Sequence, residues 1–199
     1  MSQTVPPIID RAFGHPSGRL GRIGGALMAR GNAATERHIV DVAALTETDI
    51  ALVLGPGPGV GLRAAAERAR HTTGIDPSED MLRASVERCR DLVHAGKVGV
   101  RNGSAEATGA NDNAFDVVLS VNNIQLWDDL AAGLAEVSRV LRPGGRFVLS
   151  SHAKWLPTSQ QALVAEVESA GLTDVQSWTW QPPGRFSSLA FQLRAAKPA

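Results

Sequence analysis

The stretch Ile50-Ala51-Leu52-Val53-Leu54-Gly55-Pro56-Gly57-Pro58-Gly59 constrains this chain more than any other. A run of consecutive apolar residues suits a strand covered on both faces, because a strand with one wet face would alternate apolar and polar side chains. The glycines that follow permit positive φ and let a ligand approach where a Cβ would clash. Leu62 to Arg70 then reads as a strong helix former. Strand, glycine turn and helix together make the opening unit of an α/β sheet.

The rest of the chain alternates in the same way. Thr72–Asp76 reads as a second strand, and Ser78 as the N-cap of a helix with Glu79 and Asp80 in its first turn, running to about His94 and stopped by Gly96. Lys97–Arg101 reads as a third strand, followed by a polar loop to Ala114. Phe115–Val121 is the clearest strand, with a helix from about Asp128 to Leu141 behind it. Arg142-Pro143-Gly144-Gly145 reads as a tight turn before a fifth strand, Arg146–Ser150. Thr158 and Gln161 fit a capping box for a helix to Ala170. Two last strands, Asp174–Trp180 and Phe186–Ala195, joined across Gln181-Pro182-Pro183-Gly184, favour an antiparallel pair. Such alternation predicts a parallel sheet with helices on both faces.

Ahead of the first strand, residues 1–18 are rich in Pro, Gly and Ser and read as a loosely ordered arm. Apolar residues at helical spacing from Leu20 to Leu45 predict a short helix before Gly31 and a better one over about Ala34–Leu45. The expected organisation is an arm with helices over 1–45, on the lid or substrate side, and a ligand-binding domain over 46–199.

Composition narrows the partners. The 199 residues suit one compact domain, and 20 Lys plus Arg against 20 Asp plus Glu give no net charge to hold nucleic acid, although a local basic patch stays open. Cys89 is the only cysteine, so a disulfide framework and a cysteine zinc site are both excluded and a reducing cytoplasm is the natural location. No His, Asp or Glu cluster has metal-ligand spacing, so no metal is expected. There is no signal-peptide core and no run near the roughly 20 apolar residues of a membrane span. The expected partners are small molecules, with no nucleic acid and no membrane; the oligomeric state is open.

The glycine loop is not a dinucleotide fingerprint. Val60 stands where G-x-G-x-x-G counted from Gly55 needs its third glycine, and the shifted match Gly59-x-Gly61-x-x-Ala64 begins four residues too deep in the turn. Pro56 and Pro58 also remove two N–H donors that a pyrophosphate would use. Asp76 ends the second strand 21 residues after Gly55, near the spacing of about 20 expected for an acid that accepts from ribose hydroxyls. Loop and acid together indicate a nucleoside ligand of less negative charge than a dinucleotide.

The order of these segments resembles the class I S-adenosylmethionine-dependent methyltransferases, in particular the small bacterial group related to the ubiquinone and menaquinone C-methyltransferases. The likeness runs from about Leu52 to Gly171. It is carried by Val53-Leu54-Gly55-Pro56-Gly57-Pro58-Gly59, Gly74-Ile75-Asp76-Pro77-Ser78, Met81-Leu82, Asn102-Gly103-Ser104-Ala105-Glu106, Phe115-Asp116-Val117-Val118-Leu119-Ser120 and Val140-Leu141-Arg142-Pro143-Gly144-Gly145-Arg146-Phe147. The resemblance implies a Rossmann-like α/β fold, a seven-stranded, mostly parallel sheet with a reversed last strand. It implies that Gly55, Pro56, Gly57 and Gly59 pack against the methionine part of the cofactor and that Asp76 holds the ribose hydroxyls. Pro77 and Met81 would flank the adenine, Ser104 and Ala105 would meet its edge, and Ser120 and Asn122 would lie near the methionine amino group and the reacting methyl. Two positions depart from the family: Val53 stands where it usually has an acid, and Ser104 where it usually has Asp.

Methyl transfer is an in-line displacement, so alignment supplies most of the catalysis, and a base is needed only for a protonated acceptor. His71 and His94 fall away from the strand C-termini. His152 directly follows the fifth strand on the ligand side and is the candidate catalytic residue; His15 in the arm reads equally as lid or exposed. The run Asn122–Trp127 is expected to edge the pocket, with Trp127 packing into the core. Trp155, Trp178 and Trp180 read as acceptor-site walls or, more commonly for such residues, as core or hairpin packing. The leading expectation is a methyltransferase for a small molecule. The alternatives are a non-catalytic relative, suggested by Val53 and Ser104, and a nicotinamide-dependent oxidoreductase, disfavoured by the glycine spacing.

Overall fold

The structure, a computed structural model, describes residues 32–184 and 187–199. The elements are α1 (residues 32–43), β1 (Ile50–Leu54), α2 (Val60–Ala66), β2 (His71–Asp76), α3 (Glu79–Arg88), α4 (Arg90–His94), β3 (Val98–Asn102), β4 (Phe115–Val121), α5 (Leu130–Val140), β5 (Leu141–His152), α6 (Gln160–Ser169), β6 (Thr173–Trp180) and β7 (Ala190–Ala196). The seven strands form one sheet in the order β3-β2-β1-β4-β5-β7-β6. Neighbours from β3 through β5 pair in parallel, and β7 runs antiparallel to both β5 and β6. This is the Rossmann-like seven-stranded α/β sheet with a reversed last strand.

Strand alternation sends β1 to two cores. Leu52 and Leu54 pack on one face with Val118, Phe147 and Leu149, under Leu134 and Val137 of α5 and Leu163 and Val167 of α6. Ala51 and Val53 pack on the other with Val117, Leu119 and Val148, under Ile39, Val40 and Ala43 of α1 and Leu62, Ala65 and Ala66 of α2. Val53 is therefore a core residue facing α1. Arg146 on β5 anchors the end of that helix: its Nε donates to the Ala43 carbonyl at 2.6 Å and its Nη2 to Ala44 at 3.0 Å and to Asp49 at 2.8 Å. Helix-terminal carbonyls have no partner within the helix, and a guanidinium fills that need. Burial works against the Asp49 charge, but the bond to Arg146 and the Thr46 N–H outweigh it and hold its carboxyl below the usual range.

Four local expectations change. The helix expected over 78–94 breaks at Cys89, because the Arg88 carbonyl accepts from Arg63 Nη1 at 3.0 Å and the buried Cys89 side chain turns toward Gly59. The cap of α6 is Ser159, whose hydroxyl accepts from the Ala162 N–H at 3.1 Å, so the Thr158–Gln161 box does not form. Arg142–Gly145 belongs to β5 instead of forming a free turn. Leu141 pairs with Phe115, and beyond a bulge Gly144 and Gly145 exchange backbone bonds with Lys197. The last strand begins at Ala190, because Ser187 Oγ bonds the carbonyls of Pro182 and Gly184 and lengthens the connection. The expected arm, the helix before Gly31 and His15 lie outside the described residues.

Candidate functional site

The carboxyl ends of β1, β2 and β4 open into a cleft. Its floor is the loop after β1. Gly55, Gly57 and Gly59 take φ of +57°, +52° and +86°, a region that residues with a Cβ rarely occupy. A Cβ at Gly55 would stand 2.6 Å from Asn123 Nδ2, and one at Gly57 would meet no described residue within 4 Å. Gly55 is thus required by close packing, and Gly57 presents bare backbone to open space. Gly59 is the N-cap of α2 and packs against Ser85 of α3, away from the cleft lining.

Asp76 closes the β2 side. It is buried, its Oδ2 accepts from the Gly57 N–H at 3.2 Å, and its Oδ1 accepts from the Ser78 N–H at 2.9 Å. The acid at the end of one strand therefore sets the shape of the loop after the neighbouring strand. Pro77 and Met81 continue this wall, and Ser104, Ala105 and Glu106 face it. On the β4 side stand Asn122, Asn123, Leu126, Trp127 and Asp128. Asn123 ties this side together: its Nδ2 donates to the Leu54 carbonyl at 2.6 Å, and its Oδ1 accepts from Ser120 Oγ at 2.7 Å and from the Trp127 indole at 3.0 Å.

The charge of the lining is one-sided. Glu36, Asp76, Glu106 and Asp128 line the cleft, and among the described residues no Lys, Arg or His does. Glu36 comes from α1 and accepts a short hydrogen bond from the Gly61 N–H. It also lines a smaller cavity whose walls are Ile39, Val40, Val53, Leu119 and Val121. Burial pushes its carboxyl up to about 7, against the opposing influence of the Gly61 N–H and of Arg88 and Arg37.

The structure thus brings Gly55, Pro56, Gly57, Asp76, Pro77, Met81, Ser104, Ala105 and Asn122 to one cleft and leaves Gly59, Ser120 and His152 outside its lining. Ser120 is buried and reaches the cleft through Asn123. His152 is partly buried; its backbone N–H donates to Asn122 Oδ1 at 3.1 Å, and its ring meets Trp155 edge-on at 4.8 Å. Burial, and secondarily the nearby Lys154 charge, push its imidazole below the usual range. Trp180 stacks on His38 at 4.0 Å, away from the cleft, and Trp155 is 44% exposed. Among the described residues no group of His, Cys, Asp or Glu is placed to hold a metal, and no helix is long and apolar enough to cross a membrane.

Glu36, like Asn32, Val121 and Asp128, is a lining residue that the motifs do not mark. Its signal lies in helix periodicity: it stands three and four residues before Ile39 and Val40, on the face that α1 turns to the sheet. A carboxylate on an apolar stripe is a misfit that asks for a function.

Residues 52–149 match the family described as Methyltransferase domain. Over that stretch, just under half of the chain, the protein carries a methyltransferase domain. It is 29% identical over 164 residues to an uncharacterized methyltransferase of Bacillus subtilis, YdaC, covering 77% of this chain and 87% of the relative. It is 34% identical over 123 residues to the ubiquinone/menaquinone biosynthesis C-methyltransferase UbiE of Rubrivivax gelatinosus, covering 60% of this chain and 42% of that protein. The chain thus spans most of the first relative and less than half of the second. The fold matches a SAM-dependent methyltransferase of Aquifex aeolicus with a TM-score of 0.70 at 17% identity, covering 84% of this chain and 92% of that one.

Proposed function

We propose that the chain is an S-adenosylmethionine-dependent methyltransferase for a small-molecule acceptor. The observation that carries this reading is the cleft itself: bare glycine backbone at its floor, a strand-end acid at one side, and only acidic charge in its described lining. A dinucleotide brings a negatively charged pyrophosphate, which four carboxylates would repel. S-adenosylmethionine brings a nucleoside with a sulfonium and an ammonium group against a single carboxylate of its own, a net positive charge that the acidic lining attracts. The open space above Gly57 fits a ligand chain laid along the loop.

In this reading Asp76 accepts from the ribose hydroxyls, and Pro77 and Met81 flank the adenine. Ser104 and Ala105 meet the adenine edge, with the Ser104 hydroxyl serving as an uncharged acceptor. Gly55, Pro56 and Gly57 lie along the amino-acid part, with Gly59 fixing the start of α2 behind them and Ser120 orienting Asn123. Asn122 borders the space for the acceptor. The bound cofactor supplies a methyl group on positively charged sulfur. This chain's residues align it and keep water out, which is proximity catalysis. Where the acceptor carries a proton, we assign its removal to His152 only for an acceptor that extends past Asn122, because the His152 backbone is held behind Asn122 and its ring stands outside the cleft lining.

Isothermal titration with S-adenosylhomocysteine and with NAD tests the reading. The expected result is micromolar binding of S-adenosylhomocysteine and none of NAD. Binding of NAD alone would replace this function with an oxidoreductase, and binding of neither would remove both.

A further inference from the structure

The cleft presents two carboxylates on opposite sides of the glycine loop. Asp76 stands on the β2 side, and Glu36 on the β4 side, where it shares a small cavity with Val53, Leu119 and Val121. The side chains around Glu36 there are hydrocarbon, set beside the backbone of Gly55 and Gly61, and its hydrogen bond among the described residues comes from the Gly61 N–H. An apolar setting is unfavourable for a carboxylate unless a positive charge joins it.

We propose that Glu36 is the counter-ion for the ammonium of the cofactor's amino-acid end, so that α1, which precedes the matched domain, completes the cofactor site. The inference rests on the cofactor reading given above. With the nucleoside held at Asp76, a ligand laid along Gly55–Gly57 extends toward the β4 side, where the lining carboxylates are Glu36 and the exposed Asp128, and of the two Glu36 is the one that also borders the small apolar cavity. The Gly61 N–H fixes its Oε2. Holding a flexible side chain before the ligand arrives lowers the entropy cost of binding.

The charged groups around Glu36 set its proton equilibrium. Arg37 on its own helix and Arg88 on α3 favour the ionised form, and burial opposes it and prevails. The carboxylates of Asp76, Glu106 and Asp128 share the cleft. Near neutral pH Glu36 therefore holds a proton part of the time in the free protein. An arriving ammonium favours the carboxylate form, so the proton leaves to solvent as the ion pair forms. Cofactor binding is then linked to proton release.

The test is isothermal titration of the full chain and of Glu36→Gln with two ligands, S-adenosylhomocysteine and 5′-methylthioadenosine. The second keeps the nucleoside and sulfur but lacks the amino-acid end. The expected result is that E36Q weakens S-adenosylhomocysteine by roughly tenfold or more, the loss expected for a charge-assisted bond, and leaves 5′-methylthioadenosine unchanged. Retained binding of the truncated ligand also shows that the variant is folded. A second measurement needs no variant: near pH 7 the wild-type heat of S-adenosylhomocysteine binding should vary with the ionisation enthalpy of the buffer, and the E36Q heat should not. Equal weakening of both ligands, no weakening of either, or a buffer-independent wild-type heat overturns the inference. A wild-type chain that binds neither ligand takes down the cofactor reading itself, an outcome distinct from these three.

Discussion

Asp76 serves two masters. In the protein as described it accepts from the Gly57 and Ser78 N–H groups, and in the proposed complex it also accepts from two ribose hydroxyls. Replacing it by alanine removes the ribose contact and frees the loop. Asp76→Ala should weaken S-adenosylhomocysteine by about 1–3 kcal/mol, roughly ten- to a hundredfold, and weaken 5′-methylthioadenosine alike, because both carry the ribose. Titration of the variant with both ligands checks this, and an unchanged affinity for either excludes the ribose role. Asp76 was legible in the sequence because its constraint is local: an acid at a strand end, a fixed distance after a glycine turn. Glu36 was not, because the group it meets, Gly61, lies 25 residues away on another helix. Asn123 fell between the two. Its position in the loop after β4 was readable, but its bond to the Leu54 carbonyl spans 69 residues and depends on β1 and β4 being neighbours.

At the scale of elements, apolar patterning and glycine placement located every strand of the sheet, and the errors were at boundaries. Two of them came from a tertiary partner that outbid the local signal. The Arg63 guanidinium took the Arg88 carbonyl and ended α3 early; Lys197 drew Gly144 and Gly145 into the sheet. The head of α6 offers the clearest test. Thr158 and Ser159 are adjacent hydroxyl residues, and the sequence alone favoured the first, because Gln161 completes a box with it. The backbone makes Ser159 the cap, with φ −64° and ψ 156°. Ser159→Ala should therefore lower stability by about 1 kcal/mol, while Thr158→Ala should change it by less than about 0.5 kcal/mol. Urea unfolding of both variants decides between them, and the reverse order would put the cap at Thr158.

At the scale of the molecule, two carboxyl groups pull stability in opposite directions with pH. The bonds from Arg139 and Thr108 hold Glu136 down at about 2 against some burial, so its contribution is complete above the ordinary carboxylate range and is lost as pH falls toward 2. Glu36 is raised to about 7. Its folded form binds more protons than its unfolded form between about 4.5 and 7, so its contribution is fully present at acid pH and is lost as pH rises through that window. The ligand-free protein should therefore lose stability from about pH 5 to pH 7, and Glu36→Gln should flatten that decline without altering the acid limb. Urea midpoints measured across pH 2–8 check it; a decline of equal depth in E36Q would assign the effect elsewhere. The strand order carries a different consequence for the molecule as a whole. β6 has a single neighbour, β7, and β7 follows it in the chain. Both pairings of β7 therefore depend on one insertion: until the segment from Ala190 onward enters between them, β5 has an open edge and β6 has no strand to join.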